Sequence, residues 1–239
     1  MIPVIPSETV LNTYIRIEDS LHRVLQIVPY CENHMDVWSD YLVTVILESC
    51  SLLDSLWRTQ SWQSSCVQKS KNRNNLNMFD YFTFYGEFME PRWIVFWAEK
   101  PVMKYPFKGW SKTGKYKSKN DQGFLDWWTA YNNLKHDRLQ NRPEATLHRS
   151  VRAVSALFLA ILRCENCRQA IAQTGWLSCG FSKPEAWLGE DSSSCKDRYI
   201  AAETKLFSYA VGWGKEPMPQ KVMWRGPASD RFIRWFNQE

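Results

Sequence analysis

Residues 127–138 read WWTAYNNLKHDR and hold the densest group of side chains that could do chemistry. On a helix, Asn132 and His136 are four residues apart and share a face. An imidazole with an ordinary pKa of about 6.5 can give or take a proton near neutrality, so His136 is the candidate general acid or base. Asn132 suits contact with ribose or phosphate. Lys135 and Arg138 could stabilise negative charge that develops on a phosphate. Tyr131 lies on the neighbouring side, and Glu48, at the edge of an earlier apolar helix face, is a candidate for orienting the imidazole. The competing reading makes His136 a half-buried core histidine and the charges a solvated face.

A second group lies in the stretch EKPVMKYPFKGWSKTGKYKSKND at 99–121. Between Lys100 and Lys119 it holds seven lysines and no acid, interleaved with Tyr105, Phe107, Trp110 and Tyr116. Lysines can follow a phosphate backbone and exposed aromatics can stack on unpaired bases. Lys104, Lys108, Trp110, Lys112, Lys115, Lys117 and Lys119 are therefore candidate nucleic-acid contacts. The alternative is a solvated loop.

Other chemistry finds less support. Cys164 and Cys167 form a C-x-x-C followed by Cys179 and Cys195, but the pair falls on an expected helix continuation and the later spacing is irregular. Buried or idle thiols fit better than a zinc site. No glycine-rich phosphate loop, H-E-x-x-H helix or G-x-S-x-G turn occurs, and no cofactor or metal is expected. Arg16 with His22, and Arg142 with His148, read as accidental pairs.

The elements that must position these groups follow from periodicity. Ser7 is read as the cap of a first helix whose apolar positions, from Val10 to Val28, recur at helical spacing until Pro29. A second helix carries a wide apolar face from Val37 to Trp57, including Trp38 and Tyr41. Residues 64–77 are a polar break. Residues 78–98 predict a short helix and then a strand at RWIVFW, before a long basic loop at about 99–123. A third helix from about Gly123 to Leu139 carries WWTAYNNLKHDR. Pro143 suits the first turn of a fourth helix, with a buried stripe from Leu147 to Leu162. Beyond 175, GFSKPEAWLGEDSSS reads as loop, and TKLFSYAVGW and KVMWRG as short strands. The fold expected is mainly α: a four-helix up-and-down bundle over 1–174, with a small mixed α/β C-terminal extension over 175–239 packed on it.

The run Tyr131-Asn132-Asn133-Leu134-Lys135-His136, with the preceding PFKGW and the following SALFLAIL, resembles the HEPN superfamily. These are small helical bundles of prokaryotic toxin–antitoxin and antiviral defence systems. The likeness covers roughly residues 7–163 by element order, and only the motif region is specific. The family's motif is an arginine, usually followed by Asn or another polar residue, then three more residues and a histidine. Asn132 and His136 keep this register, and Tyr131 stands where the arginine would be. The resemblance implies a homodimer and metal-independent cleavage of RNA, the ribose hydroxyl attacking its own phosphate, with Lys135 or Arg138 as the replacement cation. It equally admits a non-catalytic module that binds RNA, a nucleotide or a protein partner of a defence system.

The totals agree with these expectations. A chain of 239 residues with 44% hydrophobic and 23% charged residues is ordinary for a globular protein. A net charge of +5 permits a polyanionic partner without demanding one. Seven cysteines without framework spacing fit reduced thiols. MIPVIPSETV lacks a signal-peptide pattern and no apolar run approaches membrane-spanning length, so a cytoplasmic protein without a membrane partner is expected.

Overall fold

A computed structural model of the chain describes residues 4–63, 76–90, 92–111, 125–179 and 200–211. Among these the protein is mainly helical with a small antiparallel sheet. Six α-helices run over Ser7–Leu25 (α1), Asp40–Gln63 (α2), Met78–Met89 (α3), Asp126–His136 (α4), Leu147–Leu162 (α5) and Arg168–Gln173 (α6). Five strands, Ile94–Phe96 (β1), Val102–Lys104 (β2), Leu177–Cys179 (β3), Ile200–Glu203 (β4) and Phe207–Val211 (β5), form one sheet in the order β2-β1-β5-β4-β3.

The central element is α5. Its start is set by Thr146, whose side chain accepts the Arg149 amide, one of the donors that a helix leaves without an internal partner. The sequence predicts one buried stripe on this helix, but almost every residue from Leu147 to Leu162 is buried. The reason is its position: α1, α2 and α4 pack against it, and so do β1 and β5. A helix enclosed this way is apolar all round rather than amphipathic. Each fully buried large side chain, such as Phe158, Leu157 or Ile161, contributes roughly 1.5–3 kcal/mol of transfer free energy.

Around α5 the helices α1, α2 and α4 follow the expected pattern, with shifted ends. α1 buries Val10, Leu11, Tyr14, Ile17 and Leu21. Its N-cap is Pro6 rather than Ser7, and no side chain caps it. α2 begins at Asp40, so Val37 and Trp38 precede it and are partly exposed, and Tyr41 is 75% exposed. Their apolar character extends the expected face beyond the packed part, which begins at Leu42. α4 is shorter than expected, which leaves Arg138 and Leu139 in a turn. Pro143 opens a separate 3-10 turn, Arg142–Glu144, instead of α5 itself.

An aromatic cluster joins α2, α3 and the segment after β2. Trp57 lies 5.3–5.6 Å, centroid to centroid, from Tyr81, Tyr85, Phe107 and Trp110. Asn77 and Asp80 form a reciprocal cap at the start of α3. Gly109, at φ +85°, allows the turn that brings the Trp110 amide onto the Phe107 carbonyl.

The sheet unites segments from both sides of residue 174: β1 pairs with β5 through Val95–Ser208 and Phe96–Phe207. Part of the expected basic loop is therefore strand, because Val102–Lys104 adds to the edge of β1. The C-x-x-C does not continue α5. The helix ends at Leu162; Cys164 precedes a 3-10 turn over Glu165–Cys167 that leads into α6, and both thiols are buried and unbridged. The stretches at 180–199 and 212–239, which include GFSKPEAWLGEDSSS and KVMWRG, lie outside the described residues.

Candidate functional site

The partition that α4 makes of its side chains follows from its two packed neighbours. Trp127, Trp128, Ala130, Tyr131 and Leu134 turn inward, towards α2, α5 and the Phe107 segment. The Trp127 indole N–H donates to the Pro106 carbonyl at 2.9 Å, which fixes the helix against the segment after β2. Asn132 is left half-buried, and Lys135, His136 and Arg138 are exposed.

The end of α4 is held by its own turn. Asn141 donates its side-chain amide to the carbonyls of Asn133, at 3.1 Å, and Asp137, at 2.8 Å. The Asp137 side chain accepts the Gln140 amide at 3.2 Å, which holds the start of the turn. These bonds satisfy carbonyls that a helix end leaves open, and they present Arg138 and Leu139 at the surface. Across the turn, Arg142 pairs with Asp40 at 2.5 Å and lies 5.5 Å over the Trp38 ring. Trp38 itself forms an antiparallel bridge to Thr146. Lys135, His136, Arg138 and Arg142, with Trp38 and Tyr41, thus occupy the adjoining ends of α4 and α2.

Two residues of the expected group are differently placed. Tyr131 is buried between α4 and α2, its ring 4.9 Å from Trp128 and 5.5 Å from the Lys135 ammonium. Burial, with the Asp54 charge second, pushes its phenol up to about 12, so it is no proton donor near neutrality. Arg58 of α2 is a nearby cation, but its guanidinium is bound to Asp54 at 2.5 Å. Asp54 also accepts the Tyr81 hydroxyl at 2.8 Å. Glu48 is exposed on α2 and has no hydrogen bond to His136 among the described residues. The α2 carboxylate whose charge acts on Tyr131 of α4 is Asp54.

The lysine-rich segment divides. Lys108 is exposed. Trp110 is 4% exposed and stacks face to face on Trp57, so it belongs to the core and offers no platform for a base. The turn at Gly109 folds this ring into the core. Lys112, Lys115, Lys117 and Lys119 lie outside the described residues.

Lys104 reveals a centre that sequence reading missed. It is half-buried at the end of β2, and its ammonium donates to the Tyr30 hydroxyl at 2.5 Å. That hydroxyl stands 2.9 Å from Nδ1 of His148, at the second position of α5. When neutral His148 carries its proton on Nε2, the phenol donates to Nδ1; when Nδ1 is protonated, it donates to the phenol oxygen beside the Lys104 ammonium. Arg152, one turn further along α5, pairs with Asp126 at the start of α4 at 2.5 Å. Desolvation and then the Lys104 charge lower the His148 pKa, and desolvation and then Arg152 lower that of Lys104. Burial raises the Tyr30 phenol to about 12.

Tyr30 also lines a cleft of about 290 Å³, together with His22, Leu25, Trp97, Glu99 and Leu206. Both histidines that the sequence offered as accidental neighbours of arginines therefore stand at this end of the molecule, His22 on the cleft and His148 behind Tyr30. No local signal announces this, since Tyr30 and His148 are 118 residues apart.

No group of three or more His, Cys, Asp or Glu side chains that could hold a metal ion occurs among the described residues. None of the described helices is long and apolar enough to cross a membrane. The chain matches no family model, no curated protein and no solved structure.

Proposed function

We propose that the protein is an RNA-binding module of HEPN-like architecture, with α1, α2, α4 and α5 as its four-helix up-and-down bundle. The observation that carries this reading is the division of α4: its aromatic side is buried, and Asn132, Lys135, His136 and Arg138 are gathered at its open end. Support for the bundle comes from pairwise packing, α1 on α2 and α5, and α4 on α2 and α5. The surface at that end combines the two things single-stranded RNA recognition uses. Lys135 and Arg138 supply cations for the backbone, and the exposed faces of Trp38 and Tyr41 supply stacking platforms.

Metal-independent RNA cleavage with His136 as acid or base is the second reading, favoured by its exposed ring beside Lys135 and Arg138. It would need an orienting group, and a homodimer of the kind the resemblance implies would have to supply it. A role in bacterial stress or phage defence follows from the same resemblance. The deciding experiment measures binding and cleavage of single-stranded RNA by the full chain and by His136→Ala. A binding module retains affinity in the variant and cleaves in neither case. An enzyme cleaves, and loses turnover but not affinity with the imidazole. Absence of any RNA affinity at low salt rejects both readings.

A further inference from the structure

We propose that Lys104, Tyr30 and His148 form a binding site for the terminal phosphate of a small ligand whose body occupies the adjoining cleft. The site is independent of the RNA-binding edge. None of its three residues belongs to that edge, although Trp38 bridges Thr146, two residues before His148.

The first argument is the state of Lys104. A half-buried ammonium is normally met by a carboxylate, because partial desolvation of a charge is costly without one. Here the partner of Lys104 among the described residues is a neutral phenol. The charges around the centre do not supply the counter-ion. From α4, Asp126 is taken by Arg152 of α5. Asp36, in the segment before α2, is exposed. The second cation, Arg152, acts on Lys104 and His148 with the same sign as they carry. An anion placed here relieves the desolvation of Lys104 and the repulsion at once.

The second argument is donor geometry. Lys104, Tyr30 and His148 come from β2, from the segment after α1 and from α5, and their polar atoms meet within hydrogen-bonding distance. When His148 takes a second proton, its Nδ1–H donates to the phenol oxygen. The phenol proton, no longer accepted by Nδ1, is then free for an oxygen of the ligand. Ammonium and phenol offer donors and the imidazolium adds a second positive charge, which suits a phosphate dianion better than a singly charged carboxylate. The backbone at the start of α5 has no part in this, since the Leu147 and His148 amides already donate to Val37 and Met35.

The third argument is space. The cleft that Tyr30 lines has apolar and aromatic walls in Leu25, Pro29, Trp97 and Leu206, with His22 and Glu99 for directional bonds. Its volume of about 290 Å³ is near the lower end for small-molecule pockets. A phosphomonoester with a flat body, such as a nucleoside monophosphate, matches both parts.

The test uses the full chain and follows the His148 ring by NMR during titration with inorganic phosphate, adenosine monophosphate and acetate. Expected are saturable shifts with phosphate, a rise in the His148 pKa on saturation, tighter binding of the monophosphate through the cleft, and no saturation with acetate. Lys104→Met should weaken phosphate binding at least tenfold, and Trp97→Ala should weaken the monophosphate alone. Circular dichroism identifies any variant that fails to fold, and the wild-type titration then decides. Absence of a saturable shift, a His148 pKa indifferent to phosphate, or equal binding of acetate overturns the proposal. Equal affinity for phosphate and the monophosphate overturns the assignment of the cleft.

Discussion

The carboxylate of Glu18, in α1, accepts the backbone N–H of Leu206 at 2.9 Å. The same oxygen accepts the Tyr14 hydroxyl at 3.1 Å and the hydroxyl of Thr204. Glu18 is 4% exposed, so one buried oxygen ties the first helix to the turn between β4 and β5, almost 190 residues later. Nearby, Lys205 pairs with Asp19 at the surface.

Glu18 should make stability depend on pH in an unusual direction. Burial raises its pKa above the ordinary 4.5 and outweighs the hydrogen bonds that lower it. Between the unfolded and folded values the folded protein holds the extra proton. This contribution is therefore complete below about 4.5 and is lost as pH rises through the raised folded value. Glu18→Gln keeps an accepting oxygen and should flatten this part of a denaturation-against-pH profile. Glu18→Ala leaves three buried donors without their acceptor and should cost about 2–5 kcal/mol. A profile unchanged by Glu18→Gln contradicts the account.

Trp110 should behave as a core residue. Its ring stacks on Trp57 at an interplanar angle of 7° and meets Phe82 edge-on at 5.2 Å. Trp110→Ala is expected to destabilise by about 3–5 kcal/mol in urea unfolding. A folded, fully stable variant that has lost RNA affinity would instead restore Trp110 as a base-stacking group.

The charge beside His148 should be visible without any ligand. Its folded pKa lies below 6.5, so its contribution to stability is present above that value and is lost as pH falls towards the depressed one. Lys104→Met removes one of the two like charges that lower it, leaving desolvation, the larger cause. The His148 pKa should move up towards 6.5, and the loss of stability on going from about pH 7 to about pH 5 should become shallower. An NMR titration of the free variant measures the first effect. A downward or absent shift removes Lys104 as a cause.

Periodicity made α1, α2, α4 and α5 legible because each buries at least one continuous stripe, and the pattern reports burial rather than helix ends. It misled where apolar residues are exposed: Tyr41 extends the stripe of α2 in sequence and faces outward in space. It was also silent about what surrounds α5, since a stripe does not tell whether the opposite face meets solvent or a sheet. β2 escaped notice because its three residues, Val102, Met103 and Lys104, are half-buried and short of any alternation, and only pairing with β1 makes them a strand.

The WWTAYNNLKHDR segment was legible for the same local reason, as a helix two or three turns long carries its whole polar face in one run of residues. The Lys104–Tyr30–His148 centre was not. Its three members are single residues in three ordinary contexts, and their meeting depends on β2 joining β1 and on α5 starting beside the segment after α1. Chemistry assembled by tertiary contact leaves no spacing to read.

The open end of α4 provides the sharpest functional measurement. If Lys135 and Arg138 each meet an RNA phosphate, replacing either with alanine should weaken binding of every sequence alike and reduce the slope of log K against log salt by about 1. Tyr41→Ala, at a ring 75% exposed, should cost about 1–3 kcal/mol of affinity with little change in that slope. Trp38→Ala should act similarly, but it also removes the platform under Arg142 and frees that guanidinium from one of its two contacts. Fluorescence anisotropy with a labelled single strand at several salt concentrations separates these effects. Cationic variants that alter neither affinity nor slope would show that RNA, if bound at all, lies elsewhere on the molecule.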